Sequence, residues 1–198
     1  IARRMRLRVL PEVGVSFELL NHYPTDQEGR FILPDLAYGA DVWALLKIKV
    51  AKNLCEAARG SSLRLLTATI DFIDPDGTEV RTDPSVMTIE LQSPDAYAEL
   101  MIDETVHQRS IELSAATLQQ QAHVAARDGD WVRIDQIMEE LEQLGAGNAW
   151  LKASIQRLRT YSQTRRRDDF SKEARYKSDR MRRRSVSRYE NMDSYSEA

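Results

Sequence analysis

The chain is 198 residues long, 42% hydrophobic and 30% charged, enough for one large or two small domains with real cores. It holds no apolar run of about 18 residues, and residues 1–30 lack the order of a signal peptide, so the expectation is a cytoplasmic protein with no membrane contact. A single cysteine, Cys55, excludes an internal disulfide and a thiolate metal cluster, and the net charge of −3 hides an acidic body and a basic end.

All six prolines (11, 24, 34, 75, 84 and 94) lie in the first 94 residues. Proline is tolerated in turns and at strand ends but breaks helix interiors, so its distribution marks a boundary. Before that boundary, apolar residues alternate with a period of two: Met5, Leu7, Val9; Val15, Phe17, Leu19; Val42, Ala44, Leu46, Ile48, Val50; Leu66, Ala68, Ile70, Phe72; and Met87, Ile89, Leu91. Each set predicts a strand with one buried face. Turn chemistry separates them, including Asp74-Pro-Asp-Gly-Thr-Glu79, where Asp-Gly suits a tight hairpin. The expectation for residues 1–93 is an antiparallel β-sandwich. Trp43 falls on the face opposite Val42 and Ala44, and there it would mark a contact with another domain or partner.

After Pro94 the period becomes helical: Ile111, Ala115, Leu118, Ala122 and Ala125 predict a helix that begins near Asp95 or Thr105 and ends at Arg127. Gly129 in "RDGDW" is the stop, and Ile134, Ile137, Met138, Leu141 and Leu144 predict a second helix. Asn148 caps a third, with Leu151, Ile155 and Leu158 on its buried side, while Trp131 and Trp150 plug the helix junctions. Short connections make consecutive helices antiparallel neighbours, so residues 94–165 form a helical layer. The whole chain is expected to be α+β, with residues 166–198 as a basic helical or extended tail docked on the body.

Residues 165–188 contain 11 Lys or Arg against 4 acids, a charge of +7 that leaves −10 for the remainder. Only Phe170, Tyr176, Met181, Val186 and Tyr189 offer apolar surface there, so no stripe strong enough to bury alone is evident. The interaction residues to expect are Lys172, Arg175, Tyr176, Lys177, Arg180, Arg182, Arg183 and Arg184. Lys and Arg with interspersed Tyr could follow a single-stranded nucleic acid. The acidic body argues instead for an architectural strap, with Arg side chains paired to acids of the body and Tyr and Met packed beneath.

Catalytic patterns are missing from the sequence. There is no HExxH, GxSxG, GxGxxG or GxxxxGK[ST], and His22, His107 and His123 are scattered. A pocket joining His107 to Glu104 is the arrangement an enzyme would need. Asp71, Asp74, Asp76 and Glu79 do not keep the register of a calcium loop, and a hairpin turn is the better reading. The pairs Asp103 with Glu104 and Glu139 with Glu140 point about 100° apart on a helix and read as solvated surface. No cofactor is expected of these residues.

The order "NHYP" (21–24), "RFILPDLAYGADVWALLKIKV" (30–50), "AARDGDWVRIDQIMEELEQL" (125–144) and "FSKEARYKSDRMRRRS" (170–185) resembles the region that follows the von Willebrand factor A (VWA) domain in bacterial VWA-domain proteins. The resemblance implies a non-catalytic protein-interaction or scaffold module, with the VWA domain itself as a partner. Mg²⁺ would belong to that domain, whose D-x-S-x-S motif does not occur in these residues. Trp131 and Ile134 stand where the family's helical hairpin usually has small residues, which implies a different helix packing locally.

Overall fold

The computed structural model describes residues 2–58, 60–183 and 186–187, and the side chains of Pro94, Ala98, Ala149, Trp150, Arg183, Val186 and Ser187 are outside that description. The fold is α+β, with antiparallel sheets followed by helices. It divides into two compact units, and the break falls between Met101 and Ile102 rather than after residue 93. The displaced boundary has a local cause: Ser93 caps a short helix, Pro94–Ala98 (α2), that belongs with the sheets.

In the first unit, strands Arg3–Pro11 (β1), Phe31–Ile32 (β3), Ser62–Ile73 (β6), Glu79–Arg81 (β7) and Ser85–Glu90 (β8) build one sheet. β1 runs between β3 and β6, while β7 and β8 pair with opposite ends of β6 along its other edge. Val15–Leu19 (β2) and Leu46–Val50 (β5) form a separate two-stranded ribbon. The inward residues of both layers share two apolar clusters, one around Met5, Leu7, Leu19, Tyr23 and Leu33, the other around Val15, Leu65 and Leu66. The period of two therefore finds its buried face as expected in β1, β2, β5 and most of β6.

Two departures from simple alternation have visible causes. Leu65 and Leu66 are neighbours, yet only 3% and 2% exposed, because a bulge between Arg64 and Leu66 shifts the pairing with β8 and turns two consecutive side chains inward. The strand expected from Val42 to Val50 is broken into Ala40–Asp41 (β4) and β5. Between them, side chains replace the ladder: the Leu45 amide donates to Asn21 Oδ1 at 2.7 Å, and the Tyr23 hydroxyl donates to the Trp43 carbonyl at 3.0 Å. Trp43 is thus half-buried in a loop rather than on an outer strand face, and Ala44 is exposed. Met87, expected in the core, is 43% exposed on edge strand β8, and Ile89 is the residue of that strand that joins the core. Val186–Ser187 (β9) pairs its backbone with β4. Between β5 and β6, Lys52–Ala57 (α1) is a single short helix.

The second unit is a four-helix bundle of Glu104–Asp128 (α3), Trp131–Leu144 (α4), Ala149–Gln163 (α5) and Arg167–Arg183 (α6). Each helix touches the next, and α6 returns to pack on α3, so the order around the bundle is the order along the chain. The connections are short because capping is dense. Asp103, Asp130 and Asn148 each accept a hydrogen bond from a backbone N–H in the first turn that follows. Gly129, at φ +75°, closes α3 with its own N–H on the Ala125 and Ala126 carbonyls, one residue before Asp130 opens α4.

Candidate functional site on the last helix

The basic segment is not a tail laid over a finished body. Up to Arg183 it is the fourth helix of the bundle, with Phe170, Ala174, Ser178 and Met181 buried at steps of four, four and three. The stripe was hidden in the sequence because two of its four members are small. They face α3, whose buried positions include Ala115, Ala116, Ala122, Ala125 and Ala126. Small residues on both sides let two backbones approach closely, so this contact needs few large apolar side chains.

Polar groups complete the seam. Buried Ser178 donates its hydroxyl to the Ala116 carbonyl at 2.8 Å. His123 Nδ1 lies 3.0 Å from the Ser171 carbonyl and 2.8 Å from its Oγ, which places this histidine as a link between α3 and α6. Arg167 donates to the Arg127 carbonyl at the end of α3. At the turn into α6, Arg165 takes φ +51°, stacks its guanidinium 5.0 Å from the Trp131 ring and binds Asp135 at 3.0 Å. Trp131 also meets Phe170 edge to face at 6.3 Å, so it fills the helix junction as expected and accounts for the large residue at that place.

The eight expected interaction residues separate into distinct environments. Lys172, Arg175, Tyr176 and Arg180 are exposed on the outward side of α6. Lys177 lies inward, its side chain 16% exposed, with Nζ 3.2 Å from Ser154 Oγ and 3.5 Å from Glu173 Oε1. Burial lowers its proton affinity, and Glu173 opposes this only in part because Arg157 and Arg180 push the same way as burial. Arg182 is half-buried, and desolvation acts on it against the favourable charge of Asp179. The Arg183 side chain, Arg184 and Tyr189 lie outside the described residues. The expected pairing of Arg with body acids takes a mostly local form: Arg175 pairs with Asp179 along α6 at 4.0 Å and Arg166, just before α6, with Asp169 at 2.5 Å, while Arg157 reaches Glu173 from α5 at 3.7 Å.

A second charged site went unread in the sequence. Arg4, Arg6 and Arg8 alternate with the buried Met5 and Leu7, and so share the outer face of β1. The loop before β3 adds Arg30, and β7 adds Arg81. Asp71 on β6 holds two of these guanidiniums: Arg81 at 2.5 Å and Arg30 at 3.3 Å. Hydrogen bonding from Arg81 keeps the Asp71 carboxyl below its usual range despite partial burial. At Asp26, burial works upward but is outweighed by hydrogen bonds from the backbone and side chain of Arg30, and its carboxyl also lies low. The signal was the run of arginines at every second position, read for its inward partners alone.

The turn at 74–79 is a hairpin: the Thr78 amide donates to Asp74 Oδ1 at 2.8 Å, and Gly77 takes φ +89°. Among the described residues no group of three or more His, Cys, Asp or Glu side chains gathers as a metal site, and no helix is long and apolar enough to cross a membrane. The chain matches no protein-family model, no curated protein and no solved structure.

Proposed function

We propose that this chain is a non-catalytic protein-interaction or scaffold module, the part that follows a VWA domain in a longer protein, and that α6 presents its binding surface. The observation that carries this reading is the division of α6 into two faces. Phe170, Ala174, Ser178 and Met181 lock one side into the bundle, while Lys172, Arg175, Tyr176 and Arg180 stand exposed on the other. A stripe of cations on a rigid helix loses little conformational freedom when it meets a partner, and it suits an acidic protein surface. Tyr176, 60% exposed among these cations, adds the amphipathic ring that interfaces favour.

The same stripe supports a second reading, single-stranded nucleic acid stacked on Tyr176 with its phosphates on the cations. The charge of −10 outside residues 165–188 weighs against it, since that charge repels a polyanion at long range.

The two readings separate in one titration series. The full chain, labelled with nitrogen-15, is mixed with a Glu-rich peptide and, separately, with a single-stranded oligonucleotide. Amide shifts concentrated on residues 172–180 with the peptide, and lost in Lys172→Glu/Arg175→Glu/Arg180→Glu, support the interaction module. Tight binding of the oligonucleotide with a steep salt dependence, and no response to the peptide, would overturn it in favour of nucleic acid.

A further inference from the structure

We infer that the outer face of the five-stranded sheet holds a binding site for a phosphoryl-bearing small molecule, formed by Arg4, Arg6 and Arg81 and buttressed by Arg30. These residues line a cleft of about 310 Å³ that also includes Asp71 and Glu79. Four guanidiniums and two carboxylates line the cleft, while Asp26 and Glu28 hold Arg30 from outside that lining.

The cluster is more than an ion-pair network that satisfies itself. Arg30 is saturated, with Asp26 at 2.8 Å, Glu28 at 3.2 Å and Asp71 at 3.3 Å, and its side chain is only 12% exposed. It works as a fixed post. Arg81 spends two donors on Asp71 and keeps the rest of its fork. Among the described residues Arg6 reaches only Asp26, at 3.9 Å, a carboxylate that Arg30 already occupies. Arg4 has no ion-pair partner for its guanidinium among the described residues. Its backbone is unusual as well: φ is +51°, and the β1–β6 register slips between Arg3 and Arg6, while the Arg4 amide is held by Asp35 Oδ1 at 2.8 Å. A left-handed non-glycine residue in a bulge costs free energy, and here the bulge brings to the rim of the cleft a guanidinium with no ion pair among the described residues.

Phosphate fits these donors better than a single carboxylate. Three underused forks offer more N–H groups than two carboxylate oxygens can accept, whereas a terminal phosphoryl group brings three acceptor oxygens and about two negative charges. Because Asp71 and Asp26 already hold Arg81 and Arg30, little side-chain freedom is lost on binding.

The test is calorimetric titration of the full chain with inorganic pyrophosphate at physiological ionic strength, with succinate as the carboxylate comparison. Saturable binding is expected, weakened about tenfold in both Arg4→Ala and Arg81→Ala and unchanged in Arg133→Ala on the bundle. Arg4→Lys, which keeps the charge and loses the fork, is expected to fall with Arg4→Ala. Arg nitrogen-15 side-chain resonances of the exposed Arg4 report the site even if Arg81→Ala proves unstable. No saturable binding, equal loss in Arg133→Ala, full affinity in Arg4→Lys, or succinate binding as tightly as pyrophosphate would each overturn the assignment.

Discussion

The two cationic surfaces of this protein are built in opposite ways. On α6 the charges are neighbours in sequence, and two of the pairs on that helix, Arg175 with Asp179 and Lys177 with Glu173, lie four residues apart. On the sheet, Arg30 and Asp71 come from positions 41 apart, and Arg81 completes the group from β7. A helix displays its charges wherever it docks, because its period alone decides which side chains share a face. A sheet assembles charges only when strand order and register are correct, and the assembled group is correspondingly more rigid. The difference teaches that density of charge along a sequence locates a surface, while convergence of charge in space locates a site.

Breaking the docking of α6 should have the largest effect. Phe170 is fully buried against Trp131, and Phe170→Ala removes a ring with little room for collapse, so a loss of about 3–5 kcal/mol in unfolding free energy is expected. Denaturant titration measures it, and hydrogen exchange should show lost protection along α3 and α6. Next comes Gly129→Ala. No atom lies within 4 Å of where the new Cβ would stand, so the cost is conformational alone, about 1–2 kcal/mol, from forcing alanine to φ +75°.

The sheet cluster should respond more weakly, and to pH. Asp26 and Asp71 have lowered proton affinity in the folded state, so their contribution is fully present above the ordinary carboxylate range near pH 4 and is lost as pH falls below it. Asp71→Asn should remove part of that acid dependence and cost about 0.2–1 kcal/mol at neutral pH, the range of ion pairs that keep contact with water. Urea midpoints at neutral and acidic pH check both statements. On α6, Lys177 should titrate below the ordinary lysine value in carbon-13 lysine spectra, because burial outweighs Glu173. The smallest effect belongs to the outer stripe: Lys172→Ala and Arg175→Ala should shift stability by less than about 0.5 kcal/mol. A larger loss would mean that the stripe is structural, and the contrast between the two surfaces would fail.

Most strand faces, the hairpin, the Gly129 stop and the Asn148 cap were legible in the sequence because each depends on a few neighbouring residues, whereas the run from Val42 to Val50 and the face of Met87 were not. Asp74 to Glu79, Gly129 and Asn148 all act within one turn of the chain. The candidate surface on α6 was half legible. Its charges were evident, but its inward face was not, since Ala174 and Ser178 are apolar stripe members only opposite the alanines of α3.

By itself, then, the sequence determined the division into sheet and helices, the turn positions and the basic character of the last segment, because period, proline placement and capping are local properties. Only the tertiary structure decided that the basic segment up to Arg183 is a fourth bundle helix, that Leu65 and Leu66 both turn inward, and that Arg4, Arg30, Asp71 and Arg81 line one cleft. Each of these depends on which surface a residue finally faces, and a partner distant along the chain supplies that surface.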